Sequence, residues 1–393
     1  MDRSLRHRSL RTALLGAFAL CAGATFSPLA LADEPSPRTP DFVIEASGDH
    51  PAIAVELLTV EEGKVAIVDP SDPFFAALTP LEMSLRLDED VTALPREEAL
   101  TKFRSFLQEQ VTEWRPVERE KLAMALPQIA ERMREHCPDI LPTRWRFLRT
   151  TGRDELSVPY TRGDCIVFPE TLVASLIAQD QGTFEHLVVR KLEQLGQLVI
   201  HETFHVWSRN HPTERDTLYR EFGFEPIAPV VLPDSIDRIR LTNPDGPGWG
   251  HAIRVTDDEG NACRAILLLT SKAPEFQKGY MGVIPVLSFH LYPITESDPP
   301  TLRTRDDGSV VRWMPHRVKG FAEQVGRNSA YIIHPDEILA DHASYLAYPP
   351  AQIPNPELLE RVRIRLGGTV IGVGKGSSSS SGKPEPASHD GGR

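Results

Sequence analysis

The chain has 393 residues, 25% of them charged and 40% hydrophobic, a globular composition with enough apolar content for a substantial core. It carries 43 basic and 55 acidic residues, a formal net charge of −12. With the four arginines and one aspartate of the first 32 residues set aside, the remainder holds 39 basic against 54 acidic residues, or −15, and no basic block, which argues against a nucleic-acid binder or a polybasic membrane-surface protein.

The first 32 residues read as an export signal. Four arginines up to Arg11 precede an apolar run from Thr12 to Phe26, and Ala30-Leu31-Ala32 supplies the small residues of a cleavage site. Cleavage after Ala32 leaves Asp33 as the mature start, no stable membrane span, and a secreted or periplasmic protein. The Pro-rich stretch 33–40 reads as a linker. Export places Cys137, Cys165 and Cys263 in an oxidising compartment, and pairing of Cys137 with Cys165 is the expected disulfide.

Residues 41–140 read as an N-terminal extension. Two short apolar runs, Ala52 to Val60 and Lys64 to Val68, suggest a hairpin. Thr79-Pro80-Leu81-Glu82 has the pattern of a capped helix start. Helical spacing then runs from Pro95 to Glu135 with a break at Pro116.

From 141 to 366 the chain reads as one catalytic unit. Trp145 to Thr150, Ser157 to Thr161 and Cys165 to Phe168 are β-rich, and helices follow over Glu170 to Ala178 and Phe184 to Trp207. Asn243 to Gly248 is a loop, and residues 251–292 hold several strands. Helices return over Pro335 to Tyr348 and Pro356 to Ile364, and the segment 374–393 has the composition of a disordered tail. Strands and helices cluster rather than alternate, so the expected class is α+β with a mixed or antiparallel sheet.

The chemistry concentrates in His201-Glu202-Thr203-Phe204-His205. Four residues apart on a helix, His201 and His205 project from one face and can share a metal ion. Glu202, one residue on, can reach a metal-bound water as general base without being a ligand. A catalytic zinc site needs a third protein ligand. His211 is one choice; Glu214, Asp216 or Glu221 on the following helix are others. The third is Glu337, in the first turn of the helix that Pro335 starts, with Asp341 four residues later on the same face and able to orient a ligating imidazole.

His201 to His205 together with Glu337-Ile338-Leu339-Ala340-Asp341 resembles the gluzincin branch of the zincin metallopeptidases. The resemblance implies a zincin-like core and Zn2+ held by His201, His205 and Glu337. It also implies Glu202 as general base, Asp341 behind a ligand, and a sheet edge strand that holds an extended peptide, for which Trp145 to Thr150 and Cys165 to Phe168 are candidates. With 131 residues between His205 and Glu337, the region of about 210–330 must form a large, β-rich insertion. Tyr160, His251, His290, Tyr331 and His334 are candidates for stabilising an oxyanion. The resulting expectation is an exported zinc metallopeptidase acting on a peptide or protein substrate. Its rivals are a zinc-dependent envelope amide hydrolase and a non-catalytic zinc-binding protein.

Overall fold

The computed structural model describes residues 38–178, 185–246, 248–257 and 259–368. The expected signal 1–32, most of the linker 33–40 and the tail 374–393 lie outside the described residues.

A five-stranded mixed sheet forms the centre. Its strands are β1 (Phe42–Ile44), β2 (Ile53–Leu57), β3 (Arg144–Thr150), β4 (Tyr160–Arg162) and β5 (Cys165–Pro169), in spatial order β1-β2-β3-β5-β4. The β2–β3 and β3–β5 pairs are parallel, and the two outer strands, β1 and β4, run antiparallel to their neighbours. Because β2 pairs with β3, residues before and after 140 share one sheet.

Side-chain alternation along these strands builds two cores. Phe147, Ile166 and Phe168 join one cluster; Leu148, Cys165 and Val167 join another on the opposite face. The second face is covered by α1 (Val60–Ala66), α2 (Pro73–Ala77) and α4 (Arg96–Gln110), with α3 (Pro80–Leu87) between the last two. The first face receives α5 (Pro116–His136), the short α6 (Glu170–Val173) and the 26-residue α7 (Glu185–Asn210). Leu195, Val199, Ile200 and Phe204 give α7 its buried stripe.

After α7 the chain adds α8 (Pro212–Glu221) and a second, antiparallel sheet. That sheet contains β6 (Phe224–Pro226), β7 (Arg240–Leu241), β8 (His251–Thr256), β9 (Ala262–Ser271) and β10 (Leu287–Pro293), with the one-turn α9 (Asp234–Asp237) ahead of β7. It occupies the region expected to hold the β-rich insertion. The last helices among the described residues are α10 (Phe321–Val325), α11 (Pro335–Ala347) and α12 (Pro356–Arg365). The class is therefore α+β with one mixed and one antiparallel sheet, as the clustering of elements implied.

α7 and α11 pack along one another and carry the residues of interest. Gly196 permits that approach: a Cβ there would fall 2.3 Å from the Tyr348 ring. α11 starts at Pro335 with His334 as its N-cap, and every residue from Pro335 to Ala340 is buried. Asp336 and Glu337 are therefore buried among protein groups.

Three expectations are corrected. Lys64 to Val68 is not a strand. Thr59 and Glu62 form a reciprocal capping box that starts α1 there, and the hairpin partner of β2 is β1. The Cys137–Cys165 disulfide is absent, and all three cysteines among the described residues are free and buried. Strand parity turns Cys165 on β5 into the α4-side core, whereas Cys137, at the C-terminal end of α5, lies in the α7-side core. Finally, neither β3 nor β5 is an edge strand; β4 occupies that position beside α7.

Candidate metal centre

Two turns of α7 face the first two turns of α11. His201 Nε2 lies 3.1 Å from Glu337 Oε2, and His205 Nε2 lies 3.4 Å from the same oxygen. The three ligand atoms of His201, His205 and Glu337 all fall within 4.8 Å of one another. The i, i+4 spacing puts both rings on one helix face, and their centroids are 4.7 Å apart.

Each ring has its other nitrogen held by a carboxylate. His201 Nδ1 is 3.1 Å from Asp341 Oδ1, and His205 Nδ1 is 2.7 Å from Asp336 Oδ2. Those acids are themselves fixed. Asp341 Oδ2 accepts from Ser329 and Tyr345, while Asp336 accepts from the Tyr219 hydroxyl at 2.7 Å and the Ser208 hydroxyl at 2.9 Å. Asn243 Nδ2 donates to the second oxygen of Glu337 at 2.6 Å. When Nδ1–H donates to a carboxylate, the Nε2 lone pair is left for a cation.

Glu202 differs from these acids. It is 3% exposed, and its buried Oε2 has no hydrogen-bond partner. His205 Nε2 is likewise buried without one. Burial, then the charge of Asp245, pushes the Glu202 carboxyl up to about 8. Burial opposes charge on His201, but hydrogen bonds to Asp341 and Glu337 outweigh it and lift the ring to about 10. Against the same burial cost, the neighbouring charge of His205 and the hydrogen bond with His201 hold Glu337 well below the usual carboxylate range.

These groups open onto a cavity of about 530 Å³. Its lining includes the apolar Val158, Leu172, Leu176 and Leu198 and the polar Glu202, Asp245, Tyr331, Glu337 and Asp341. Asp245 comes from the loop after β7, where its Oδ1 accepts from Thr161 N at 2.6 Å and Thr161 Oγ1 at 2.7 Å. The loop thereby occupies the outer edge of β4 at Thr161. Asp245, Glu202 and His205 form a second convergent group whose ligand atoms also lie within 4.8 Å of one another.

The rival ligands lie elsewhere. His211 stacks on Trp207 with its Nδ1 2.9 Å from the Trp207 carbonyl. Glu214 lines a different cavity beside His211, Asp216 is held by Arg215 and His251, and Glu221 pairs with Arg365. Of the five oxyanion candidates only Tyr331 reaches the cavity, its ring stacked 6.3 Å from that of His201. Tyr160 donates to Asp154, His251 binds Asp216, His290 lies on β10 near Ser288, and His334 caps α11. Sequence reasoning missed Asp336, Asn243 and Asp245. Asp336 carried one signal, its place beside Glu337 in a capped first turn; the other two sit in a segment legible only as a loop.

Comparison with protein-family models, with curated proteins and with solved structures finds no match for this chain. No helix among the described residues is long and apolar enough to cross a membrane.

Proposed function

We propose that this chain is an exported zinc-dependent metallopeptidase with a zincin-like catalytic core. One observation carries the reading: two imidazole Nε2 atoms and one carboxylate converge from α7 and α11, with the opposite nitrogen of each ring pinned by a separate acid. The donor set suits zinc, and the partnerless, buried Nε2 of His205 is the kind of atom such an ion would satisfy. His201, His205 and Glu337 would hold the ion, which when bound supplies Lewis acidity to a water and to the substrate carbonyl.

The remaining work falls to this chain's own side chains. Glu202, unpartnered at the cavity wall, takes a proton from the attacking water and returns it to the leaving amine. Asp341 and Asp336 fix the tautomer and orientation of the two rings. Tyr331 offers a hydroxyl at the cavity for the developing negative charge. Support for a zincin-like core comes from the mixed sheet whose antiparallel edge strand, β4, lies against the helix bearing His201 and His205.

Digests of a peptide library and of bacterial sacculi, by wild type and by Glu202→Gln, test the reading. Peptide cleavage that disappears in the variant supports it. Cleavage of sacculi alone points to an envelope amide hydrolase, and zinc retention without any cleavage points to a binding protein. Equal activity in the variant removes Glu202 from catalysis.

A further inference from the structure

The cavity wall has an imbalance that the reaction itself does not require. Among the described residues four carboxylates face it, those of Glu202, Asp245, Glu337 and Asp341, and neither lysine nor arginine lines it. The Arg209 guanidinium is bound instead to the Gly163 carbonyl and the Thr161 hydroxyl. An ion held by His201, His205 and Glu337 would offset part of that charge. Glu202 is the unpartnered carboxylate already described. Asp245 is 9% exposed, and only its Oδ1 is hydrogen-bonded among the described residues, leaving Oδ2 for a ligand. Low dielectric strengthens such an unbalanced charge relative to bulk water.

We infer that the cavity selects substrates with a positively charged group beside the scissile bond, and that Asp245 is the specificity-determining anion that receives it. The inference rests on the peptidase reading. Asp245 is suited to the role because Thr161 anchors one oxygen rigidly to β4, so the second is presented without conformational cost. A charge-assisted hydrogen bond in that setting is worth about tenfold or more in affinity.

The test uses fluorescein-labelled alanine-based octapeptides in which one residue, walked along the sequence, is lysine, norleucine or glutamate. Binding to full-length Glu202→Gln protein is read by fluorescence anisotropy, and wild-type kcat/KM is measured on the same set. At the responsive position lysine should exceed norleucine by about tenfold in both readouts, with glutamate poorest. Added to the Glu202→Gln background, Asp245→Asn should abolish the lysine preference and Asp245→Glu should retain it, with zinc content checked in each protein. Equal binding of lysine and norleucine at every position overturns the inference, as does a preference that survives Asp245→Asn. A lysine preference in binding with no hydrolysis by wild type would instead contradict the peptidase reading alone.

Discussion

Asp336 Oδ2 lies 2.7 Å from His205 Nδ1, and this buried aspartate is itself held by Tyr219 and Ser208. The acid thus orients the deeper of the two imidazoles as Asp341 orients the other, and three elements, α7, α8 and α11, meet on its carboxylate.

Asp336→Asn keeps the shape but gives up the charge that favours Nδ1–H. Zinc affinity should fall by about 10–100-fold, measured by competition against a chromogenic chelator. Unchanged affinity would make Asp336 a packing residue only.

Tyr331→Phe removes the one candidate hydroxyl that reaches the cavity while keeping the ring over His201. On an identified peptide substrate, kcat should drop by about 10²–10³-fold with zinc content intact. A change confined to KM would assign Tyr331 to substrate binding instead.

His342 on α11 is fully buried, and burial lowers its pKa below the ordinary 6.5. Its Nδ1 lies 2.6 Å from the Ile338 carbonyl and its Nε2 accepts from Asn328, so the neutral ring already satisfies both neighbours. With the folded pKa depressed, the unfolded chain binds the proton more readily. The contribution to stability is therefore full above pH 6.5 and lost as pH falls from there toward the folded value. Urea unfolding at pH 7.5 and at pH 5.5 should show a smaller loss on acidification for His342→Gln than for wild type, by at most about 1.4 kcal/mol per pH unit. Identical losses would remove His342 from the acid response.

Cys137, Cys165 and Cys263 are free and buried, and burial pushes the first two thiols up to about 12. Thiol titration should find almost none reactive in native protein and three per mature chain after denaturation without reductant. Only one reactive thiol after denaturation would restore a disulfide.

What the sequence made legible follows from short-range geometry. His201, Glu202 and His205 were readable because helical spacing alone puts both rings on one face. Glu337 and Asp341 were readable because Pro335 announces a helix and the spacing repeats. Asp245 and Asn243 were not, since their importance depends on a loop being threaded between β4 and α11, which no local pattern encodes. The thiol pairing failed for a related reason. Proximity along the chain does not reveal which face of a sheet a residue occupies, and Cys165 turned away from Cys137. At Lys64 to Val68 a capping box outweighed an apolar run, as Thr59 and Glu62 show.

The central claim is that His201, His205 and Glu337 form one metal site, and zinc stoichiometry tests it most directly. Measured by mass spectrometry on purified wild type, Glu337→Ala and His211→Ala, zinc should stand near one per chain in the wild type and in His211→Ala, and well below that in Glu337→Ala. Full occupancy in Glu337→Ala together with loss in His211→Ala would contradict the account.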